Sequence, residues 1–314
     1  MTMAARIGGC MRLCTFALYV KVVVKGCVGM SMAIESSRFQ LYFIGRFAFF
    51  LLLGVMFAGE SGYAQSRKST PAAASTGMPN FVSLGLAYVP DHEGSNEYKF
   101  YPLFAMRYNF GSYYVEWIGL EGRANMLAMP HFEFGPAMSV DLARNNKVDD
   151  SVIGKMTEIE TMFRIGAFAK VRATGIVNQT DEIAFTVKVL TDVSNKQGGY
   201  LVSLGPSYSI SLLPRLWMSV GAGVTYANKE YMSTYFGVNA VDAEHSGLGA
   251  YRAGDGFKDI NFTMQANFLI DEKWGVFGVA SCKNLLGDAA ASPIVMSRGR
   301  KNSCMASAGL TYAF

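Results

Sequence analysis

From Asn80 onward the chain repeats one pattern: apolar and polar residues change places at every second position. In 259–271, Ile260, Phe262, Met264, Ala266, Phe268 and Ile270 alternate with Asp259, Asn261, Thr263, Gln265 and Asn267. A helix would scatter both sets around its circumference, whereas an extended strand gives each set its own face. In 216–227, Leu216, Met218, Val220, Ala222, Val224 and Tyr226 oppose Trp217, Ser219, Gly221, Gly223, Thr225 and Ala227. In 200–212, Tyr200, Val202, Leu204, Tyr208 and Ile210 oppose Ser203, Gly205, Ser207, Ser209 and Ser211. The stretches 182–189 and 158–173 behave alike, the latter setting Ile159, Phe163, Ile165, Ala167 and Val171 against Glu158, Glu160, Arg164, Lys170 and Arg172. Such strands exceed the roughly five or six residues usual in soluble sheets. They match the length of about 9–11 residues that crosses a bilayer when tilted.

A secreted β-sandwich also alternates, so the neighbourhood of the strands must decide. Only 17% of the residues are charged, below the roughly 25% typical of soluble domains, so something other than water covers part of the surface. After residue 64 no apolar run approaches the roughly 20 residues of a membrane-spanning helix. The polar faces are rich in Gly and Ser, which suit a crowded lumen, and aromatics gather near strand ends as in membrane-interface girdles. A barrel also closes its own hydrogen-bond ladder, as any sheet in lipid must. The expected fold is therefore all-β: a transmembrane antiparallel up-and-down β-barrel over 80–314, in the cell outer membrane of a Gram-negative bacterium, with lipid as its surroundings.

Candidate strands are 81–89, 98–109, 113–127, 132–144, 158–173, 180–192, 199–212, 216–229, 257–270, 273–284 and 302–314. Bacterial barrels have even counts with short periplasmic turns. Splitting 113–129 near Leu120-Glu121-Gly122 gives twelve strands, the expected number; a non-spanning 81–89 would give ten. The connections 145–157, 230–256 and 285–301 then lie outside, and Leu213-Pro214-Arg215 and Asp271-Glu272 lie on the periplasmic side.

The first 64 residues differ. Arg38 and Arg46 precede the apolar run FAFFLLLGVMFAG (47–59), and Gly62-Tyr63-Ala64 forms a small-x-Ala cleavage site, the pattern of a secretory signal peptide. Such a signal begins at the initiator, so Met30 or Met32 is the expected start and 1–31 reads as a misplaced extension. Residues 1–64 hold six basic and two acidic residues, which accounts for the whole net charge of +4. The near-neutral remainder argues against nucleic acid as a partner. Residues 65–79, QSRKSTPAAASTGMP, read as a flexible tail.

No catalytic pattern emerges. His92, His131 and His245 stand apart in expected turns or loops, without metal-ligand spacing. No nucleophile elbow, P-loop or dinucleotide fingerprint is present, and Gly247, Gly249 and Gly254 make only a loose glycine-rich loop. No catalytic, cofactor or metal site is expected, and the chain reads as a non-enzyme. Cys282 and Cys304 fall near the outer ends of the last two strands, where antiparallel pairing can oppose them; a disulfide and two free thiols are both open, and the periplasmic route permits the bridge. The sequence closes on GLTYAF (309–314), with Leu310, Tyr312 and Phe314 on the apolar face. A terminal aromatic of this kind is the expected address read by the barrel assembly machinery.

The segments GLAYVPDHEGSNEYKFYPL (85–103), KEYMSTYFGV (229–238) and NLLGDAAASPIV (284–295), with DDSVIGKMTEIE (149–160) and the aromatic last strand, resemble the MipA/OmpV family of outer-membrane proteins. The match runs in order through most of 80–314; the long leader is a departure. The resemblance implies a barrel with a structural or scaffolding role, joining a lytic murein transglycosylase to a murein synthase, or a part in osmotic adaptation or adhesion. It transfers no site residue. The alternative is a small passive channel lined by Glu158, Glu160, Arg164, Lys170, Arg172, Lys188 and Asp259.

Overall fold

The computed structural model describes residues 79–194 and 198–314. The leader, its signal peptide and nearly all of the 65–79 tail lie outside the described residues. No described helix is long and apolar enough to cross a membrane, and the strands form a closed antiparallel barrel in simple chain order.

Twelve strands make the wall: β1 Phe81–Pro90, β2 Tyr98–Phe110, β3 Tyr113–Ile118, β4 Glu121–Asn125, β5 Phe132–Asp141, β6 Met162–Thr174, β7 Glu182–Asp192, β8 Tyr200–Leu213, β9 Leu216–Ala227, β10 Gly256–Leu269, β11 Trp274–Leu285 and β12 Asn302–Ala313. The region 113–127 holds two short strands that turn at Gly119-Leu120, where Gly119 adopts a positive φ of 60°. The stretch 158–161 is not strand. Ile159 is buried and bridges Arg144, and Glu158 and Glu160 belong to the outer connection instead of the barrel wall.

The ladder closes where β12 meets β1, from Phe81 opposite Ala313 to Tyr88 opposite Ala306. Directly opposed residues share a face, so the register sorts the whole wall. Leu84, Leu310 and Phe104 lie in one outward row and are 64%, 55% and 41% exposed. Inward, hydroxyls pair across strands: Ser83 with Thr311 at 2.8 Å, Thr263 with Ser281 at 2.8 Å, and Ser209 with Ser219 at 3.1 Å. At Gly309 the inward face must stay bare, because a Cβ there would meet Cε1 of Phe277 at 2.7 Å.

Aromatics ring both rims on the outward face. At the rim holding the chain end, Tyr108 packs on Phe110 and Phe314, and Trp274 on Tyr312. At the opposite rim, Tyr88 packs on Tyr98 and Phe100, and Tyr226 on Tyr200 and Phe257. Rings with one wet and one apolar end suit the two interfaces of a bilayer.

The β3–β4 hairpin is about half the height of its neighbours. β3 pairs only with Ala105–Phe110 of β2, and Gly119 N donates to Phe104 O at its tip. The stretch 98–103 of β2 therefore has β1 on one side and no partner strand, among the described residues, on the other.

Candidate functional site: a cross-linked lumen under a folded cap

The inward side chains of β2 to β7 carry most of the lumen charge. Glu116 stands directly opposite both Arg107 and Arg123 and pairs with them at 3.0 and 2.6 Å. Arg107 also lies 3.7 Å over the ring of Tyr114, whose hydroxyl donates to Glu133 at 2.7 Å. Lys170 reaches Glu182 at 2.8 Å, and Arg172 spans Glu133 and Glu182 at 3.3 and 3.4 Å. Lys188 pairs with Glu121. Among these pairs Tyr114, Ala137, Phe168 and Leu190 form an apolar cluster inside the barrel. The opposite wall is different: the inward residues of β8 and β9 are mainly Ser203, Gly205, Ser207, Ser209, Ser219, Gly221, Gly223 and Thr225. Bulky ion pairs on one wall face small polar groups on the other.

The outer mouth is covered by its own connections. Four short helices form there: α1 Lys229–Phe236, α2 Ala240–Ser246, α3 Gly287–Ala291 and α4 Pro293–Arg298. Asn228 and Asn239 cap α1 and α2 by accepting from the amides of Tyr231 and Asp242, and Ser292 caps α4, which has Pro293 in its first turn. Tyr231, Met232 and Phe236 of α1 pack with Leu285, Ala289 and Val295 in one buried cluster; Ile153, Met156, Val238 and Ile294 make a second.

This cap is tied to the lumen wall. Arg164 is fully buried, donates to Asp141 at 2.7 Å and lies 4.8 Å over the ring of Tyr231. Tyr235 stacks on Tyr231 and donates to Asp141 at 3.0 Å. The hydroxyl of Tyr231 donates to Glu93 at 3.0 Å, and Glu93 also pairs with Lys258 and Lys283. Lys258 pairs in turn with Asp259 at 2.9 Å. Burial works against the charge on Glu93, but Lys258 and Lys283 outweigh it and hold its carboxyl well below the usual carboxylate range.

Of the lumen charges expected from sequence, Arg164, Lys170, Arg172, Lys188 and Asp259 face inward, and Glu158 and Glu160 sit in the outer connection. His92 lies in the first outer loop with Nδ1 3.1 Å from Glu93 O, His131 precedes β5, and His245 is in the last turn of α2, a helix and not the expected loop. Among the described residues, no group of three His, Cys, Asp or Glu is placed to hold a metal ion. Cys282 and Cys304 are directly opposed in register and joined by a disulfide, on the outward face near the outer rim. Leu310 and Tyr312 share the outward face of β12, and Phe314, just past its end, donates its N–H to Asn80 O. The cap helices, Glu93 and Lys258 escape a reading based on strand period. Their signals were Asn228 and Asn239 as caps and the helical spacing of Tyr231, Met232, Tyr235 and Phe236.

Comparison with curated proteins finds no match. Among solved structures the chain is similar to an outer membrane channel from Pseudomonas putida F1, at 8% identity and TM-score 0.40, covering 79% of this chain and 100% of that one. It is similar to the translocator domain of autotransporter NalP from Neisseria meningitidis, at 9% identity and TM-score 0.40, covering 77% and 90%. It is also similar to the KdgM porin, at 12% identity and TM-score 0.35, covering 74% and 99%. A family model described as MltA-interacting protein MipA matches residues 82–314, the barrel from the second residue of β1 onward with its cap. The chain is thus an outer-membrane β-barrel protein, and it belongs to the MltA-interacting protein MipA family.

Proposed function

We propose that this barrel is a non-catalytic scaffold that ties murein-remodelling enzymes, a transglycosylase and a synthase, to the outer membrane. What supports this reading in the lumen is that ion pairs line it from β2 to β7 and the outer connections fold over its mouth. The observation that carries it lies at the periplasmic rim. The turn between β6 and β7 is clamped by Asp181, whose carboxylate accepts from the amides of Ile176, Val177 and Asn178 and from the hydroxyl of Tyr208. A rigid turn of this kind presents Ile176 and Val177, 58% and 69% exposed, to the periplasm. Apolar side chains held out on a fixed backbone bind partners at a smaller ordering cost. The family description names an interaction with MltA, a murein transglycosylase, for its namesake.

The test is capture of a murein transglycosylase by the refolded barrel. Wild type retains the enzyme, and Val177→Asp weakens capture at least tenfold while the barrel stays folded by heat-modifiable mobility. Equal capture by the variant removes the turn as the contact. The competing reading is a small passive channel along the Ser- and Gly-rich wall of β8 and β9. Planar-bilayer recordings are expected to be silent, and reproducible conductance steps in wild type would favour the channel.

A further inference from the structure

Between the β5–β6 connection and the segment 233–252 the cap encloses a cleft of about 630 Å³, within the size range of small-molecule sites. Arg144 lines it and is 7% exposed. Its backbone is fixed by reciprocal bonds with Ile159 at 2.9 and 2.8 Å, and its Nη1 donates to Tyr235 O at 3.0 Å. Its Nε is buried with no acceptor. Asp242 attracts it through space, yet burial prevails and the guanidinium pKa falls to about 10. The oxygens of Asp242 are already engaged: Oδ1 accepts from Thr157 N and Oγ1 at 2.6 and 2.7 Å, and Oδ2 accepts from Asn239 at 2.8 Å. A guanidinium taken out of water without a bonded anion is costly. Arg144 lines the cleft, so an anion held there lies beside this buried positive charge.

The rest of the lining narrows the chemistry. Arg252 is exposed on the same cleft and can close on an anion from the solvent side. Glu158 is exposed there too, so a second negative charge on the guest would meet repulsion, whereas a hydroxyl would find an acceptor. The ring of Tyr251 offers an apolar face beside them. Two guanidiniums for one carboxylate, one carboxylate for hydroxyls and an aromatic face together suit a singly charged, hydroxylated ring.

We propose that this outward-facing cleft binds an acidic sugar, its carboxylate on Arg144 and Arg252 and its hydroxyls on Glu158. The sugar can arrive free from the medium or as a residue of the lipopolysaccharide that coats the outer leaflet. Calorimetric titration of the refolded barrel in detergent micelles distinguishes these. Galacturonate saturates one site per barrel, galactose does not bind, and inorganic phosphate binds at least tenfold more weakly than galacturonate. If added lipopolysaccharide competes with galacturonate, the source is lipid-borne; if it does not, the source is free sugar. Arg252→Ala weakens galacturonate at least tenfold, and Arg144→Gln abolishes binding. Arg252 is exposed, so its variant tests the site even if Arg144→Gln does not fold. Arg215→Ala, at a periplasmic turn, binds like wild type. Binding of galactose as tight as galacturonate, unchanged binding in Arg252→Ala, or failure of both galacturonate and lipopolysaccharide to bind overturns the assignment.

Discussion

Glu116 is 4% exposed and holds two arginines at once, so its removal does more than delete two contacts. Glu116→Gln leaves Arg107 and Arg123 facing each other without the carboxylate between them, and breaking a buried pair in this way costs about 3–5 kcal/mol. Glu121 has a side chain that is 58% exposed and makes a single pair with Lys188; Glu121→Gln costs about 1 kcal/mol or less. Urea unfolding of the two refolded variants should separate them clearly, and equal midpoints would show that the Glu116 triad contributes little. Phe314 poses a different question, because its proposed role lies in assembly. A lysine near the interface costs only about 0–1 kcal/mol, so Phe314→Lys should not harm the folded barrel. Trp274→Lys makes the matched control, since Trp274 shares the same aromatic rim and is 50% exposed but is not terminal. If only Phe314→Lys fails to reach the outer membrane, recognition by the assembly machinery explains the defect; similar insertion of both variants would end the address reading.

The helix α1 is held to the wall by apolar packing on Leu285 and by the charges around Glu93. Glu93 has a lower pKa folded than unfolded, so its contribution is fully present above the ordinary carboxylate value of about 4.3 and is lost only as pH falls through the depressed folded value. The cap should therefore stay shut at pH 5 and open in much stronger acid. Pepsin cleavage within 228–255, followed as pH is lowered, measures this; Glu93→Gln should be cut already at pH 4, and cleavage of wild type at pH 5 would contradict the account. The strands around α1 were legible in the sequence because each faces lipid on one side and lumen on the other, so period two was written without interruption from Ile260 to Phe268. The cap was not. Its residues obey contacts between distant connections, such as Glu93 with Lys258, that no local period encodes. The β3–β4 hairpin lay between: a turn was expected near Leu120-Glu121-Gly122 and falls at Gly119-Leu120, but its half height follows from pairing with β2 and β5.

Across the whole molecule the lumen is asymmetric. Cross-linked charges stiffen β2 to β7, hydroxyls and glycines leave β8 and β9 lightly filled, and the disulfide fastens β11 to β12 below the connection that carries α3 and α4. The half-height hairpin adds a second asymmetry, in the wall itself. Since Phe104 directs its carbonyl toward β3, every second residue above it, Pro102, Phe100 and Tyr98, turns its backbone to the same open side. An open row of donors and acceptors is ordinarily a template on which a foreign strand can grow. Pro102 has no amide hydrogen to offer, so the row lacks a donor at its end next to the hairpin. The missing donor makes that edge a poorer template for the strand of a neighbouring copy.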